Sequence, residues 1–235
     1  MIIFKLIHHR LKHGNDDEFY RMQARDAIKW MRKHGVDFRE GLLVLDLGCG
    51  HGIFGNELGN IGCEVVMADV NNWLCPDALA YRFIEVDVNV DDLSKLGQFD
   101  LVICSNMFEH IENTDKFLGN IKNIIKPGGM IYFSWTNWLS PFGGHEISPF
   151  HYLGPKLGTI VRDKMFSKKR LHTPYLNLFP TYIGTTLKDI LTVSGLETIK
   201  TSPRYYSELS FITRLPFIRE FLTWNCAVLA RRPSA

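Results

Sequence analysis

No C-x-x-C pair occurs among the five cysteines (Cys49, Cys63, Cys75, Cys104, Cys226), and several of them sit in apolar runs. Free cysteines in such runs behave as small hydrophobes, which argues against a disulfide framework and for a reducing compartment. Charge of one sign is also lacking. A formal net charge of +2 is close to balance and gives no support for a nucleic-acid protein. Internal repeats and low-complexity tracts are absent. No apolar run approaches the ~18 residues of a membrane span. The opening "MIIFKLIHHRLKHG" is interrupted by Lys5 and ended by His8, His9 and Arg10. It is too short for a signal core, and no A-x-A-like site follows. The expectation is a cytoplasmic protein, with membrane-surface contact left open.

What is present is the make-up of a globular protein: 235 residues, 46% hydrophobic and 22% charged, enough for one core plus an insertion. Residues 16–34 read as a helix. Tyr20, Ala24, Ala27, Ile28 and Met31 share a face, acidic residues open it, and Gly35 closes it. The period then changes. "LLVLDL" (42–47), "EVVMAD" (64–69), "RFIEVD" (82–87), "DLVICS" (100–105) and "GMIYFSW" (129–135) are short runs rich in β-branched residues, with helix-length segments between them. That alternation marks a parallel sheet buried on both faces. Three runs end on Asp69, Asp87 and Ser105, and in such sheets ligands bind beyond the carboxyl ends of the strands.

The alternation stops after Trp135. Residues 136–182 contain Pro141, Pro149, Pro155, Pro174 and Pro180 and little periodicity, so they read as a functional lid or substrate platform. A helix near 183–194, a strand at 196–201 and a last strand within 223–232 follow. The chain is therefore read as one domain, 1–235. It carries an N-terminal helical cap (1–40), a substrate-side insertion (136–182) and an apolar-basic excursion (203–222) that projects from the sheet edge.

The stretch "VLDLGCGHGIFG" (44–55) fits two glycine fingerprints. From Gly50 it matches G-x-G-x-x-G, the loop of nicotinamide dinucleotide enzymes. From Asp46 it reads as an acidic residue followed by G-x-G-x-G. In the dinucleotide loop the first glycine turns directly after the strand, but here that residue is Gly48, and G-x-G-x-x-G from Gly48 fails at Ile53. A carboxylate at Asp46 would also repel a pyrophosphate, whereas it can receive an ammonium. The second register is preferred, and Gly55 then merely completes a chance match.

In order, "VLDLGCGHG", "VVMADV", "FIEVDV", "DLVICSNMFEHI" and "KPGGMIYFSW" resemble the successive motifs of class I S-adenosylmethionine-dependent methyltransferases (type 11-like) across residues 40–135. "WLSPFGGHEISPFHYLG" and "ITRLPFIREFLTWNCAVLARR" are further similar to a mostly uncharacterised bacterial branch of that family. The sequence departs from the branch at Cys49-Gly50-His51, where Gly-Gly-Pro is common. The resemblance implies an α/β, Rossmann-like fold, a seven-stranded mostly parallel sheet flanked by helices, with S-adenosyl-L-methionine as cofactor. It implies that Gly48, Gly50 and Gly52, with Cys49 between them, let the backbone approach the methionine part, whose place side chains would otherwise take. Asp46 would hold the ammonium. Asp69, beside Val70, would bind the ribose hydroxyls, and Asp87 with Val88 the adenine amino group. Ser105 and Asn106 would border the methyl group.

Methyl transfer from a sulfonium needs mainly alignment, and a hydroxyl acceptor also needs a base. The candidates are His145, Glu146, His151 and Tyr152 in "GGHEISPFHYLG". The histidines could equally bond backbone within the insertion. No metal is expected, because H-E-x-x-x-x-H is not the H-E-x-x-H spacing and Pro149 opposes a continuous helix. Glu109-His110 recurs in small-molecule methyltransferases, but reads as readily as a helix-start carboxylate and a packed imidazole. "MIIFKLIHHRLKH", "VRDKMFSKKRLH" and "YYSELSFITRLPFIREFL" combine apolar and basic residues as an interfacial segment would. Together they suggest O-methylation of a small-molecule, glycan or lipid-linked acceptor. Nucleic acid is not expected, for want of an N/D-P-P-Y-type motif. The rival readings are an NAD(P)-dependent oxidoreductase and a non-catalytic cofactor-binding protein. Oligomeric state is not legible.

Overall fold

The computed structural model describes residues 1–234. Its elements are α1 (Ile3–His13), α2 (Asp17–Lys33), β1 (Leu43–Leu47), α3 (Ile53–Gly59), β2 (Glu64–Asp69), β3 (Arg82–Glu85), β4 (Phe99–Ser105), α4 (Thr114–Ile121), β5 (Ile125–Thr136), α5 (Pro155–Met165), α6 (Ile183–Val193), β6 (Glu197–Pro203), α7 (Ile218–Leu222) and β7 (Asn225–Arg231). The sheet is seven-stranded, in the order β3-β2-β1-β4-β5-β7-β6. β7 runs antiparallel to both its neighbours, and the other pairings are parallel. This is the expected Rossmann-like α/β architecture.

Strand periodicity divides the core. Leu45 and Leu47 join Val102, Phe108, Phe117 and Phe133 on one face of the sheet. Val44 joins Met67, Ile103 and Tyr132 with Ala27, Met31 and Phe54 on the other. α2 has the predicted span, Ala24, Ala27, Ile28 and Met31 of its predicted face are buried while Tyr20 stays exposed, and its N-cap Asp16 accepts from Phe19 N at 2.9 Å. Strand order reverses between β1 and β4, where a crevice opens at the carboxyl ends.

Three expectations change. α5 lies inside the segment read as aperiodic. Pro155 is its first residue, where a missing N–H costs nothing, so this proline starts a helix rather than breaking one. Asp87 lies beyond β3, which ends at Glu85. The 203–222 excursion does not project freely: Tyr206, Ile212 and Thr213 are buried, and Glu220 accepts from Ile183 N and Gly184 N, both at 2.8 Å, closing the start of α6.

Phe108 follows β4 and packs edge-on or tilted against Phe117, Phe133 and Trp135, with ring centroids 5.3–5.8 Å away. Phe108→Ala is expected to cost about 3–5 kcal/mol, read as a lower urea midpoint with an unchanged m-value.

Candidate active site

A cavity of about 750 Å³ occupies the crevice at the carboxyl ends of the strands, within the roughly 300–1,000 Å³ of small-molecule sites. A second hollow of about 550 Å³ lies at the opposite end, beside Leu43, Glu64, Arg82 and Phe99. It is at the amino ends of the strands, away from the switch point where α/β sheets bind ligands.

The loop after β1 forms one side of the main cavity. Gly48, Gly50 and Gly52 all have positive φ (74°, 52° and 73°), which side-chain-bearing residues rarely adopt. Gly48 N and Cys49 N both donate to the Ala68 carbonyl, pinning the loop to β2. Only Gly50 faces open space at its Cβ position. A Cβ at Gly48 would meet Met107 Sδ at 2.6 Å, and one at Gly52 would meet Leu74, Ala78 and Met67. The idea that all three glycines clear room for a ligand is therefore corrected: Gly50 does so, while Gly48 and Gly52 clear room for the protein. Gly52 is outside the cavity lining. Gly55 completes the dinucleotide pattern by chance, but it has a structural role of its own. Its N–H donates to Asp46 Oδ2 at 2.8 Å, and a Cβ there would lie 2.7 Å from Met67 Cε.

Asp46 is 1% exposed yet reaches the lining. Full burial raises its carboxyl to about 7, against the opposing Gly55 bond. The folded protein thus keeps a proton that the unfolded chain releases near its ordinary value of ~3.9. Through this group, stability falls as pH rises from about 4 to 7. Asp69 accepts from Gly50 N at 2.8 Å and from Val70 N at 2.7 Å, which holds its carboxylate at the cavity edge. Asp87 Oδ1 accepts from Asn89 N at 2.9 Å. Val70, Asp87, Val88 and Ser105 line the cavity with Cys49, whose thiol is raised by burial.

Asn106 has a left-handed backbone (φ 55°) and is a hub. Its N–H donates to Ser134 Oγ at 3.0 Å, and its Oδ1 accepts from Arg204 Nη1 and Asn225 Nδ2, both at 2.9 Å. Arg204 is 4% exposed and faces the aromatic rings of Tyr132 and Tyr205. Its Nε has no partner, and it is the one Arg or Lys in the cavity lining among the described residues. Sequence reasoning missed it. The only available signal was its place just after a strand.

The catalytic candidates scatter. His151 is wholly buried, with Nε2 on the Ser140 carbonyl at 3.0 Å and its ring edge-on to Trp138. Tyr152 is half exposed and donates to the Leu139 carbonyl at 3.3 Å. Neither lines the cavity, so both are corrected to packing and backbone-bonding roles. His145 sits behind the lining, with Nε2 buried and unpartnered, and burial lowers its pKa to about 3. Its ring centroid is 4.5 Å from that of His172 and 5.7 Å from that of His110, both in the lining. Glu146 bonds His172 Nδ1 at 2.9 Å. Burial pushes the Glu146 carboxyl up, but the bonds from His172 and from backbone hold it below its ordinary value. The sequence leaves His110 open between chemistry and a packed imidazole, and places His172 in a basic segment. Only folding of the insertion brings them together: Phe179 N donates to the Glu109 carbonyl at 2.7 Å, and His110 Nδ1 meets the Asn177 carbonyl at 2.7 Å.

The site fits S-adenosylmethionine. The Gly50 opening leaves backbone bare beside a buried carboxylate, a second carboxylate stands at the edge, and a buried guanidinium lacks an anionic partner.

A methyltransferase-domain family profile matches residues 17–201. An uncharacterised methyltransferase of Mycolicibacterium gilvum is 28% identical over 244 residues, covering 96% of this chain and 91% of its own. Another, from Mycobacterium sp. strain JLS, is 30% identical over 205 residues, covering 82% and 77%. An S-adenosylmethionine-dependent methyltransferase from Mesorhizobium loti superposes with a TM-score of 0.59 at 19% identity, over 88% of this chain and 98% of that one. Magnesium protoporphyrin IX methyltransferase from Synechocystis, with bound S-adenosylhomocysteine, gives 0.55 at 18%, over 91% and 83%. The structural likeness carries the fold, and the family match carries the chemistry and sets the oxidoreductase reading aside. The chain belongs to the methyltransferase-domain family and is an S-adenosylmethionine-dependent methyltransferase.

Proposed function

We propose that the enzyme methylates a hydroxyl oxygen on a small or amphiphilic acceptor, glycan or lipid-linked, held between the cavity and the insertion. The observation that carries this reading is the His172–Glu146 pair: a cavity-lining imidazole with Nδ1 on a carboxylate at 2.9 Å. Donation from Nδ1–H fixes the tautomer and leaves Nε2 as the basic nitrogen, the arrangement a general base needs. Glu146 belonged to the sequence candidates, but it acts through His172 rather than on the acceptor.

S-adenosylmethionine, when bound, supplies a methyl group already activated on a sulfonium. The chain's residues bind and orient. Asp46 receives the ammonium and Arg204 the carboxylate of the methionine part. Asp69 takes the ribose hydroxyls, and Asp87 with Val88 the adenine. Ser105 and Asn106 border the transfer path. Phe4 and Leu11 on α1, Phe217 on the 203–222 excursion and Leu157 and Ile160 on α5 are exposed, which supports an amphiphilic acceptor. No helix among the described residues is long and apolar enough to cross a membrane.

Asp69→Ala is expected to weaken S-adenosylhomocysteine binding about 10–100-fold by calorimetry, the worth of charge-assisted hydrogen bonds. An ammonium beside Asp46 favours its ionised form, so binding at pH 7 should release part of a proton. The heat should then vary with the buffer's ionisation enthalpy, and should cease to vary in Asp46→Asn. His172→Ala should cut turnover about 10²–10⁴-fold while leaving cofactor affinity intact, scored by labelled-methyl transfer across glycan and lipid-linked acceptors. Full activity in that variant would remove the base. Absence of co-sedimentation with anionic vesicles at low salt would remove a membrane-borne acceptor.

A further inference from the structure

Glu109, His110 and His145 place one ligand atom each within 4.8 Å of one another. They come from two distant segments, the turn after β4 and the start of the insertion, which meet because Phe179 N and the Asn177 carbonyl dock on that turn. Two of their polar atoms are anomalies. Glu109 is 2% exposed, and its Oε2 is buried with no hydrogen-bond partner; His145 Nε2 is buried and equally bare. Native interiors rarely leave a carboxylate oxygen and an imidazole nitrogen orphaned together.

The far atoms of Glu109 and His110 are held from outside. Glu109 Oε1 accepts from Thr136 N at 3.0 Å. His110 Nδ1 donates to the Asn177 carbonyl, which leaves Nε2 with a free lone pair. A backbone partner on the far atom, present here for Glu109 and His110, is how metal-binding side chains are oriented.

We propose that Glu109, His110 and His145 bind one divalent transition-metal cation, with Zn²⁺ the best match. Two imidazoles and one carboxylate are the donor set that suits this class rather than Mg²⁺ or Ca²⁺. Donors at roughly 2.0–2.2 Å from a tetrahedral ion lie about 3.4 Å apart, so binding would draw the three side chains together from their separations of up to 4.8 Å. Three protein ligands would leave one position of a tetrahedral ion for water, and His110 borders the cavity. The cation also fastens the insertion to the end of β4. The earlier expectation of no metal weighed only residues 145–151, whereas His151 takes no part here and His110 supplies the missing ligand. This inference does not depend on the role of His172, since it is tested by binding rather than turnover.

The test uses the full-length protein without a histidine tag, stripped with chelator and titrated with ZnCl₂ by calorimetry. Co²⁺ serves as a second probe through its visible d–d absorption. One equivalent is expected, with a rise in melting temperature on Zn²⁺ addition. His145→Ala should lower affinity at least about 100-fold, a ligand counting for no less than the 10–100-fold of an outer-shell partner. Glu109→Gln keeps the shape and should do the same, which covers the case where the alanine variant fails to fold. The His9/His13 pair on α1, with rings 4.8 Å apart, is the competing surface site. His9→Ala should leave the equivalent unchanged. No binding, or an equivalent that survives in both Glu109→Gln and His145→Ala or is lost in His9→Ala, overturns the proposal.

Discussion

A buried carboxylate decides where the first strand stops and the following helix starts. Asp46 lies on the face of β1 that α3 covers, in phase with Val44, and its one bonded partner among the described residues is the Gly55 N–H. That contact brings backbone close to the strand, where a Cβ would press on Met67 Cε, Asp46 Oδ2 and Val65 Cγ1, so a glycine fits best. With α3 fixed at that distance, the chain between must reverse within a few residues, which explains three consecutive left-handed glycines at alternate positions. The reversal in turn aims Gly50 N at Asp69, tying the ends of β1 and β2 together. The cofactor half of the crevice follows from one interaction.

Beside the glycine loop the organising group is polar too, but it draws on strands far apart in sequence. Asn106 follows β4, Ser134 lies near the end of β5, Arg204 follows β6 and Asn225 opens the antiparallel β7, and the four share hydrogen bonds at one end of the sheet. Such networks are rigid when satisfied and costly when not. Here Arg204 Nε remains open toward chemistry the protein does not itself provide.

This contrast explains what could be read in advance. β1 to β5 and the glycine loop announce themselves locally, because strand period, β-branched content and left-handed turns are properties of a few neighbouring residues. The end of β1 at Leu47, read from the run of β-branched residues, was enough to choose between two overlapping fingerprints. The histidine cluster was illegible for the opposite reason. Glu146 and His172 are 26 residues apart, and His110 lies in another segment altogether. "HEISPFHY" supplied two conspicuous histidines, yet burial sends His151 to a backbone carbonyl while His145 turns toward partners that sequence cannot place. α5 was hidden for a simpler reason: Pro155, which counts with its neighbours as a sign of irregular chain, is the first residue of the helix.

The insertion leaves β5 and returns to α6 through a narrow neck. Trp138 N donates to the Thr181 carbonyl at 2.9 Å, and Thr181 Oγ1 donates to the Thr136 carbonyl at 3.2 Å. The two ends of the segment are thus already side by side, held by the sheet rather than by anything between them. Closure entropy grows only logarithmically with length, about 0.6 kcal/mol per doubling. The neck therefore makes the segment an exchangeable cassette: its contents can lengthen, shorten or be replaced while every strand keeps its register. On the proposed reading, in which this segment holds the acceptor, acceptor range can change without altering the glycine loop.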